Sequence, residues 1–393
     1  MRLKKLVGKL HLWLGLGSGL VVFLVSVTGC ILAFEHEIKT MTLPFIHSAP
    51  SQSSVLLPPS ELIKKSEAVI KGPKASTIYY YEEGKSAVVR FNIKKTKSVQ
   101  QVYLNPYTGE VLKVWNLEDD FFRIIFNGHF NLWIPRPVGS YIVSYGTLVF
   151  SILLITGIVL WWPKKLTKSN TDKSFKIKWN AKWRRVNYDL HNVPGFYVFF
   201  LALALALTGL TFGVDWFFNG FYKIASGGKS RIEKRIEPIS DTTLANNQSK
   251  EKTMDMLWSK IIKDKNNEAS ISITNPSEIS KPITVTIIPN SGTYYQSYSR
   301  FFDQHSGIEF SGQKLFDGHS EEIKFGRFLH NISYDIHVGS IAGIPGKIIA
   351  FIASFVCASL PVSGFIIWWG RKKKEKKSKK NLLTTNTLNQ TSL

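Results

Sequence analysis

At 393 residues with 44% hydrophobic side chains, the chain is long enough for several packed layers, yet its apolar residues gather in four runs instead of recurring at core spacing. A net charge of +22 invites a polyanionic partner, but eighteen of those charges sit in three short segments beside the runs, so the basic balance reports membrane topology and no nucleic acid is expected. The two cysteines, Cys30 and Cys357, both lie inside apolar runs, which excludes a disulfide framework, a CxxC metal knuckle and a CxxCH haem-attachment motif.

Residues 1–34 hold a basic N-terminus and a first span, Leu12 to Phe34, opened by His11 in HLWLGLGSGLVVFLVSVTG. Val27-Thr28-Gly29-Cys30 also reads as a lipoprotein cleavage box. Recurrence of Thr-Gly at Thr208-Gly209, where no cysteine follows, makes the pair a repeat feature instead. Residues 35–140 form an outer segment: a helix over Pro59 to Ile70, strands over Ser76 to Tyr81, Lys85 to Ile93 and Val99 to Leu104, and a turn at Asn105 to Gly109. His129 follows, and Pro135 and Pro137 break the chain before a second span over 141–162 that ends TGIVLWWPKK. His129 therefore belongs on a short interfacial helix.

Residues 163–195 are a basic loop ending in His191, which opens HNVPGFYVFFLALALALTG and the third span, 196–218. Thr208-Gly209 falls seventeen residues after His191, as Thr28-Gly29 does after His11. Residues 219–340 form a second outer segment with a helix over Thr253 to Lys263, a strand over Ile283 to Pro289, a turn at Asp303 to Gly307 and a polar excursion over Ser226 to Lys250. His337 precedes the fourth span, 341–369, which ends SGFIIWWGRKKK, and residues 370–393 are a basic tail. Each span is long enough to cross roughly 30 Å of hydrocarbon. The expected fold is an α-helical membrane protein: four transmembrane helices as a duplicated two-helix unit, both termini cytoplasmic, with one small α+β domain in each outer segment.

YLNPYTGEVL resembles the end of a PepSY domain. HLWLGL with its TG, TGIVLWWPKK, DLHNVPGFY, DIHVGSIAGIPGK and SGFIIWWGRKKK together resemble the PepSY-associated transmembrane helix family, from His11 to Trp369 and in the family's order. The resemblance implies two periplasmic PepSY-like domains in a bacterial inner-membrane protein of iron uptake, of the ferric-siderophore reductase kind. The second outer segment departs from the pattern, with a loosely matched turn and a long polar insertion.

Imidazole at the edge of a bilayer needs a partner, and it is the usual axial ligand of b-type haem iron. His11 and His191 begin outward-going helices at the cytoplasmic face and form one expected pair; His129 and His337, on the outer side, form the second. Two haems b, one near each face, would carry electrons across the membrane. His330, two turns before His337, and His36 and His47 after the first span are alternates; His305 and His319 are expected in solvent. Arg184 and Arg185 are candidate partners for haem propionates, Trp13 for a haem face, and Gly15, Gly17, Ser18 and Gly19 for close approach of a helix or a macrocycle. Trp161-Trp162 and Trp368-Trp369 read as the aromatic belt.

No GxGxxG after a strand, Walker loop or flavin fingerprint occurs, so electrons would come from membrane quinol or a separate cytoplasmic donor and pass to a ferric siderophore or other ferric chelate. Two other classes fit the same chain. One is a membrane-anchored PepSY binding module without a redox cofactor; the other is a siderophore or haem transporter, for which Asp215 is the weak intramembrane candidate.

Overall fold

The structure is a computed structural model that describes residues 2–49, 55–94, 96, 98–163, 165, 167–232, 238–245, 249–263, 270–312 and 320–390. His319 and parts of the polar excursion lie outside the described residues.

Among the described residues the apolar helices pack together as one bundle. Helix α1 runs Arg2–Leu32, ten residues earlier than the apolar run begins, because the basic N-terminal residues continue the same helix. A short α2 (Glu35–Thr42) follows. Helix α3 (Pro59–Val69) and strands β1 to β4 then intervene before α4 (Phe121–Asn131) and α5 (Arg136–Trp161). The break between α4 and α5 is made by Leu132 and Trp133, both left-handed at φ of 56° and 57°, and by Pro135 ahead of the α5 start. His129 thus sits near the end of a separate short helix.

Between α5 and the third span lies α6 (Lys168–Phe175). The third span corrects the expected 196–218 helix. It consists of α7 (Trp183–Tyr197) and α8 (Phe199–Gly213), bent by 67° at Val198. Pro194 lies in the last turn of α7, where its missing N–H and ring weaken continuation. Alone, fifteen residues of α8 reach only about 22 Å; α7 and α8 together have the length and apolar composition of a span. Val214 is extended and ends α8; α9 (Asp215–Ala225) then begins, and Asp215 is exposed at its start. The outer helix α11 (Ser320–Val338) ends at Gly339 (φ 79°), and α12 (Gly343–Gln390) starts at Gly343 (φ 61°), both left-handed positions that favour glycine. Among the described residues three helices are long and apolar enough to cross a membrane, or four with the bent pair counted as one span.

The outer segments do not stand apart. Strands β1 (Ala75–Tyr80), β2 (Ala87–Ile93), β3 (Ser98–Leu104) and β4 (Val111–Asn116) come from the first, and β5 (Ser270–Thr274), β6 (Ile283–Ile288) and β7 (Tyr298–Phe302) from the second. Together they make one antiparallel sheet, ordered β4-β3-β2-β1-β5-β6-β7. The seam is β1 against β5, with Ile78 opposite Ile273 and Tyr79 opposite Ser272. Strand β5, only SISIT, carries too little signal to stand out in the sequence, and β1 takes it as a neighbour because an unpaired central edge would leave its backbone groups unsatisfied.

Helices α3 and α10 (Lys250–Ile262) pack side by side on one face. Their apolar faces join the sheet in one core holding Leu62, Ile78, Phe91 and Leu104 from the first segment and Met254, Trp258, Ile273 and Val285 from the second. Tyr80 stacks on Trp258 across the seam with ring centres 3.9 Å apart. Asp255 binds the amide and hydroxyl of Ser60, which opens α3.

The two turns that looked only loosely alike are built alike. Asn105 Oδ1 accepts from the amides of Tyr107 and Thr108, and Gly109 is left-handed. Asp303 Oδ1 accepts from the amides of His305 and Ser306, and Gly307 is left-handed. This corrects the solvent placement of His305: it is buried, and its Nε2 donates to Ile279 O at 2.9 Å.

Candidate functional site

Each of the four repeat-related histidines is held by a hydroxyl-bearing residue followed by glycine on a neighbouring helix. His129 on α4 meets Thr28-Gly29 of α1: its Nδ1 is 3.1 Å from Thr28 Oγ1 and 2.9 Å from Val25 O. His337 on α11 meets Thr208-Gly209 of α8 in the same way, at 3.1 Å from Thr208 Oγ1 and 2.9 Å from Leu205 O. At the other end of the bundle, His11 Nδ1 is 2.8 Å from Thr156 Oγ1 on α5, and His191 Nδ1 is 2.9 Å from Ser363 Oγ on α12. Gly157 and Gly364 follow those hydroxyls.

The glycines make room for the rings. A Cβ at Gly29 would lie 3.2 Å from His129 Cε1, at Gly209 3.1 Å from His337 Cε1, at Gly364 3.3 Å from His191 Cε1 and at Gly157 3.5 Å from His11 Cε1. A side chain at Gly29, Gly209 or Gly364 would crowd the imidazole by a few tenths of an ångström, whereas one at Gly157 would only touch it.

These bonds assign the tautomer. Carbonyl oxygens only accept, so Nδ1 of His129 and His337 carries the proton. Thr156 Oγ1 already donates to Leu153 O, and Ser363 Oγ to Ser359 O, so those hydroxyls accept from His11 and His191. All four rings are therefore Nδ1-protonated and keep the Nε2 lone pair for a metal, the arrangement in which an outer hydrogen bond orients a ligating histidine.

The pairing follows from position. Ring centres of His129 and His337 are 6.1 Å apart. Two metal–imidazole bonds of roughly 2 Å each, plus the radii of two rings, need about that separation. His11 and His191 line a single cavity of about 430 Å³ at the opposite end of the bundle, with Gly15, Ser18 and Gly19 from α1, Phe150 and Leu154 from α5, and Pro361 from α12. The lining is mostly apolar, with Tyr188, Asn192 and Arg371 as polar groups.

The donor set fits haem. Among the described residues no cluster of three or more His, Cys, Asp or Glu side chains forms a metal site. Two imidazoles with one basic nitrogen each suit a metal that brings its own in-plane donors, as haem iron does.

Other expected residues fall elsewhere. His330 packs edge-on to Phe212 and Phe218, with ring centres 5.0 and 6.0 Å away, beside the outer pair but not in it. His36 is exposed on α2, and His47 Nε2 donates to Thr40 O. Arg185 does not face the cavity: it pairs with fully buried Asp189, four residues on, at 2.9 Å, while Arg184 is exposed. Arg371, read from sequence as part of a topological basic run, is the guanidinium at the cavity. Trp13 is exposed, and Gly17 has nothing within 4 Å of its Cβ position. Trp161 and Trp368 line the cavity, and Trp161 stacks on Phe196 at 3.9 Å, so only Trp162 and Trp369 keep the exposed placement of a belt.

Comparison with curated proteins returns no match. The family model described as the PepSY-associated TM region matches residues 9–371, a stretch that includes all four histidines, their Thr-Gly or Ser-Gly partners and the sheet between them. The chain belongs to that family.

Proposed function

We propose that the protein is a two-haem electron-transfer protein of the bacterial inner membrane that reduces a ferric chelate on the outer side. The reading treats the chain as a duplicated two-helix unit. His11 and His191 would hold one haem b near the cytoplasmic face, and His129 and His337 the other near the outer face. One observation supports it above the rest: four imidazoles, in two pairs at opposite ends of the bundle, each oriented through Nδ1 by the same hydroxyl-glycine device.

Bound haem supplies one-electron chemistry; the protein supplies ligands, orientation and exclusion of water. Thr28, Thr156, Thr208 and Ser363 accept the Nδ1 proton and set each ring's angle. The apolar cavity walls keep water from the cytoplasmic pair, and Arg371 offers a guanidinium for a carboxylate at that cavity. Electrons would enter from membrane quinol or a cytoplasmic donor, and reduction would free iron because ferrous iron binds hard oxygen donors less tightly than ferric iron.

A reduced-minus-oxidised spectrum of the purified protein, with a pyridine haemochrome count, tests this. Two haems b per chain, reduced in number by His11→Ala and by His337→Ala, are expected. Haem-free protein made under haem-replete conditions would overturn the reading and leave a membrane-anchored binding module.

A further inference from the structure

Both histidines of the second half are preceded, two residues earlier, by a fully buried aspartate: Asp189 before His191 and Asp335 before His337. Two residues on a helix lie roughly 200° apart, so each carboxylate leaves the helix on the side away from the imidazole. Both carboxylates accept backbone amides from a segment outside the bundle. Asp335 Oδ2 takes the amides of Tyr294 and Tyr295, each at 2.8 Å, from the loop joining β6 to β7. Its other oxygen accepts from Ser340 Oγ at 2.8 Å, across the break at Gly339. Asp189 Oδ2 takes the amide of Lys178 at 3.2 Å from the cytoplasmic loop, and Arg185 Nε at 3.0 Å.

The same face of α11 grips the hairpin further along. Asn331 Nδ2 donates to Tyr294 O and Ser297 Oγ, both at 3.0 Å, and Arg327 reaches Ser299 Oγ at 2.8 Å. Arg327, Asn331 and Asp335 are spaced by four and share one stripe. His337, by contrast, faces Thr208 and Leu205 of α8. Helix α11 is therefore clamped between the sheet on one side and the bundle on the other, with the outer histidine on the bundle side. First-half positions corresponding to the aspartates are Lys9 and Asn127, so each pair joins one histidine that has such an anchor to one that lacks it.

We infer that Asp335 is a positioning residue that ties the outer sheet to His337 and fixes that ring's approach to the outer metal site, with Asp189 the equivalent for His191. This rests on the haem reading above. The carboxylate acts by geometry: it needs acceptors at the Tyr294 and Tyr295 amides and a partner at Ser340. Asparagine meets both demands, its oxygen accepting the two amides and its amide group donating to Ser340 Oγ; alanine meets neither.

The test compares wild type, Asp335→Asn and Asp335→Ala, each purified as the full chain, by haem count, low-spin electron paramagnetic resonance and amide hydrogen exchange. Expected for Asp335→Ala is a fall from two haems per chain to one, or a changed outer-haem signal with the inner signal unmoved. Exchange should also quicken at Tyr294 and Tyr295 and along 333–338 together. Asp335→Asn should match wild type. Both haem signals unchanged in Asp335→Ala, or Asp335→Asn behaving as Asp335→Ala, would overturn the inference. If wild type holds no haem, the functional reading fails by itself, and exchange judges the tether: quickening confined to the hairpin, with 333–338 still protected, sinks it.

Discussion

Thr28 Oγ1 lies 3.1 Å from His129 Nδ1, and the glycine beside it is tight against the same ring: a Cβ there would be 3.2 Å from His129 Cε1, so the imidazole would have to give by a few tenths of an ångström. Gly29→Ala is therefore expected to push the ring and lower haem occupancy at the outer pair, with Gly209→Ala, at 3.1 Å from His337 Cε1, doing the same. Gly17→Ala meets nothing within 4 Å and should leave the spectrum unchanged. Haem counts on the three variants check this; equal effects from Gly17 and Gly29 would refute the close-approach argument.

Removing the hydroxyls should grade by how many partners remain. Thr28→Val leaves His129 its bond to Val25 O, so the loss is about 0.5–1.5 kcal/mol, one hydrogen bond. Thr156→Val strips His11 of the hydroxyl its Nδ1 donates to, leaving a part-buried N–H unsatisfied at about 1–3 kcal/mol. The His11–His191 site should thus be more sensitive than the His129–His337 site, read as haem retention during mild denaturation.

The sheet seam carries a prediction about stability. Trp258 is almost wholly buried and stacks on Tyr80 from the other segment. Trp258→Ala should destabilise the outer region by about 3–5 kcal/mol, the usual range for an aromatic truncated in a core. Limited proteolysis of the intact protein should then cut both outer segments, not the second alone, because they share one core.

Acid should loosen the Asp303 turn. Burial pushes the Asp303 carboxyl up, but the amides of Asp241, Ser306 and His305 and the Ser306 hydroxyl outweigh it, so the group titrates below its ordinary value of 3.8. A folded value below the unfolded one means stabilisation present above the unfolded value and lost as pH falls through the folded one. Asp303→Asn should remove this contribution, narrowing the stability difference between about pH 6 and about pH 3 as followed by tryptophan fluorescence.

Orientation is open to direct labelling. Thr108→Cys, in an exposed sheet turn, should react with an impermeant maleimide from outside intact inner-membrane-exposed cells, and Lys173→Cys on α6 only after lysis. The reverse pattern would invert the proposed topology. Cys357 is buried, and the half-buried Cys30 is replaced by serine in both variants to remove its background.

Much of this site was legible as spacing. The seventeen-residue interval to each Thr-Gly marked the repeat, and the pairs His11 with His191 and His129 with His337 followed from it. What the interval could not say is that Thr28-Gly29 serves His129 and not His11, since the contact joins residues 101 apart on different helices. The DLH and DIH triplets were equally plain in the sequence, yet only burial gives the aspartates a purpose. Strand β5 and the seam escaped for the same physical reason: its pairing is with β1, and nothing in SISIT names a partner nearly two hundred residues upstream. The bend at Val198 was also hidden, because Pro194 reads locally as an ordinary interruption before an apolar run.

Joining Ile78 to Ile273 also imposes an order of events during synthesis. At about 5–20 residues per second, β1 emerges roughly 10–40 s before the strand that completes it. Two more apolar segments, α5 and the bent α7–α8 pair, are made in that interval, while the first four strands wait with an open hydrogen-bonding edge and half of a core. A nascent chain stalled before Ser270 would be the species most exposed to aggregation and proteolysis, so chaperone demand should be greatest there, before His337 has been delivered.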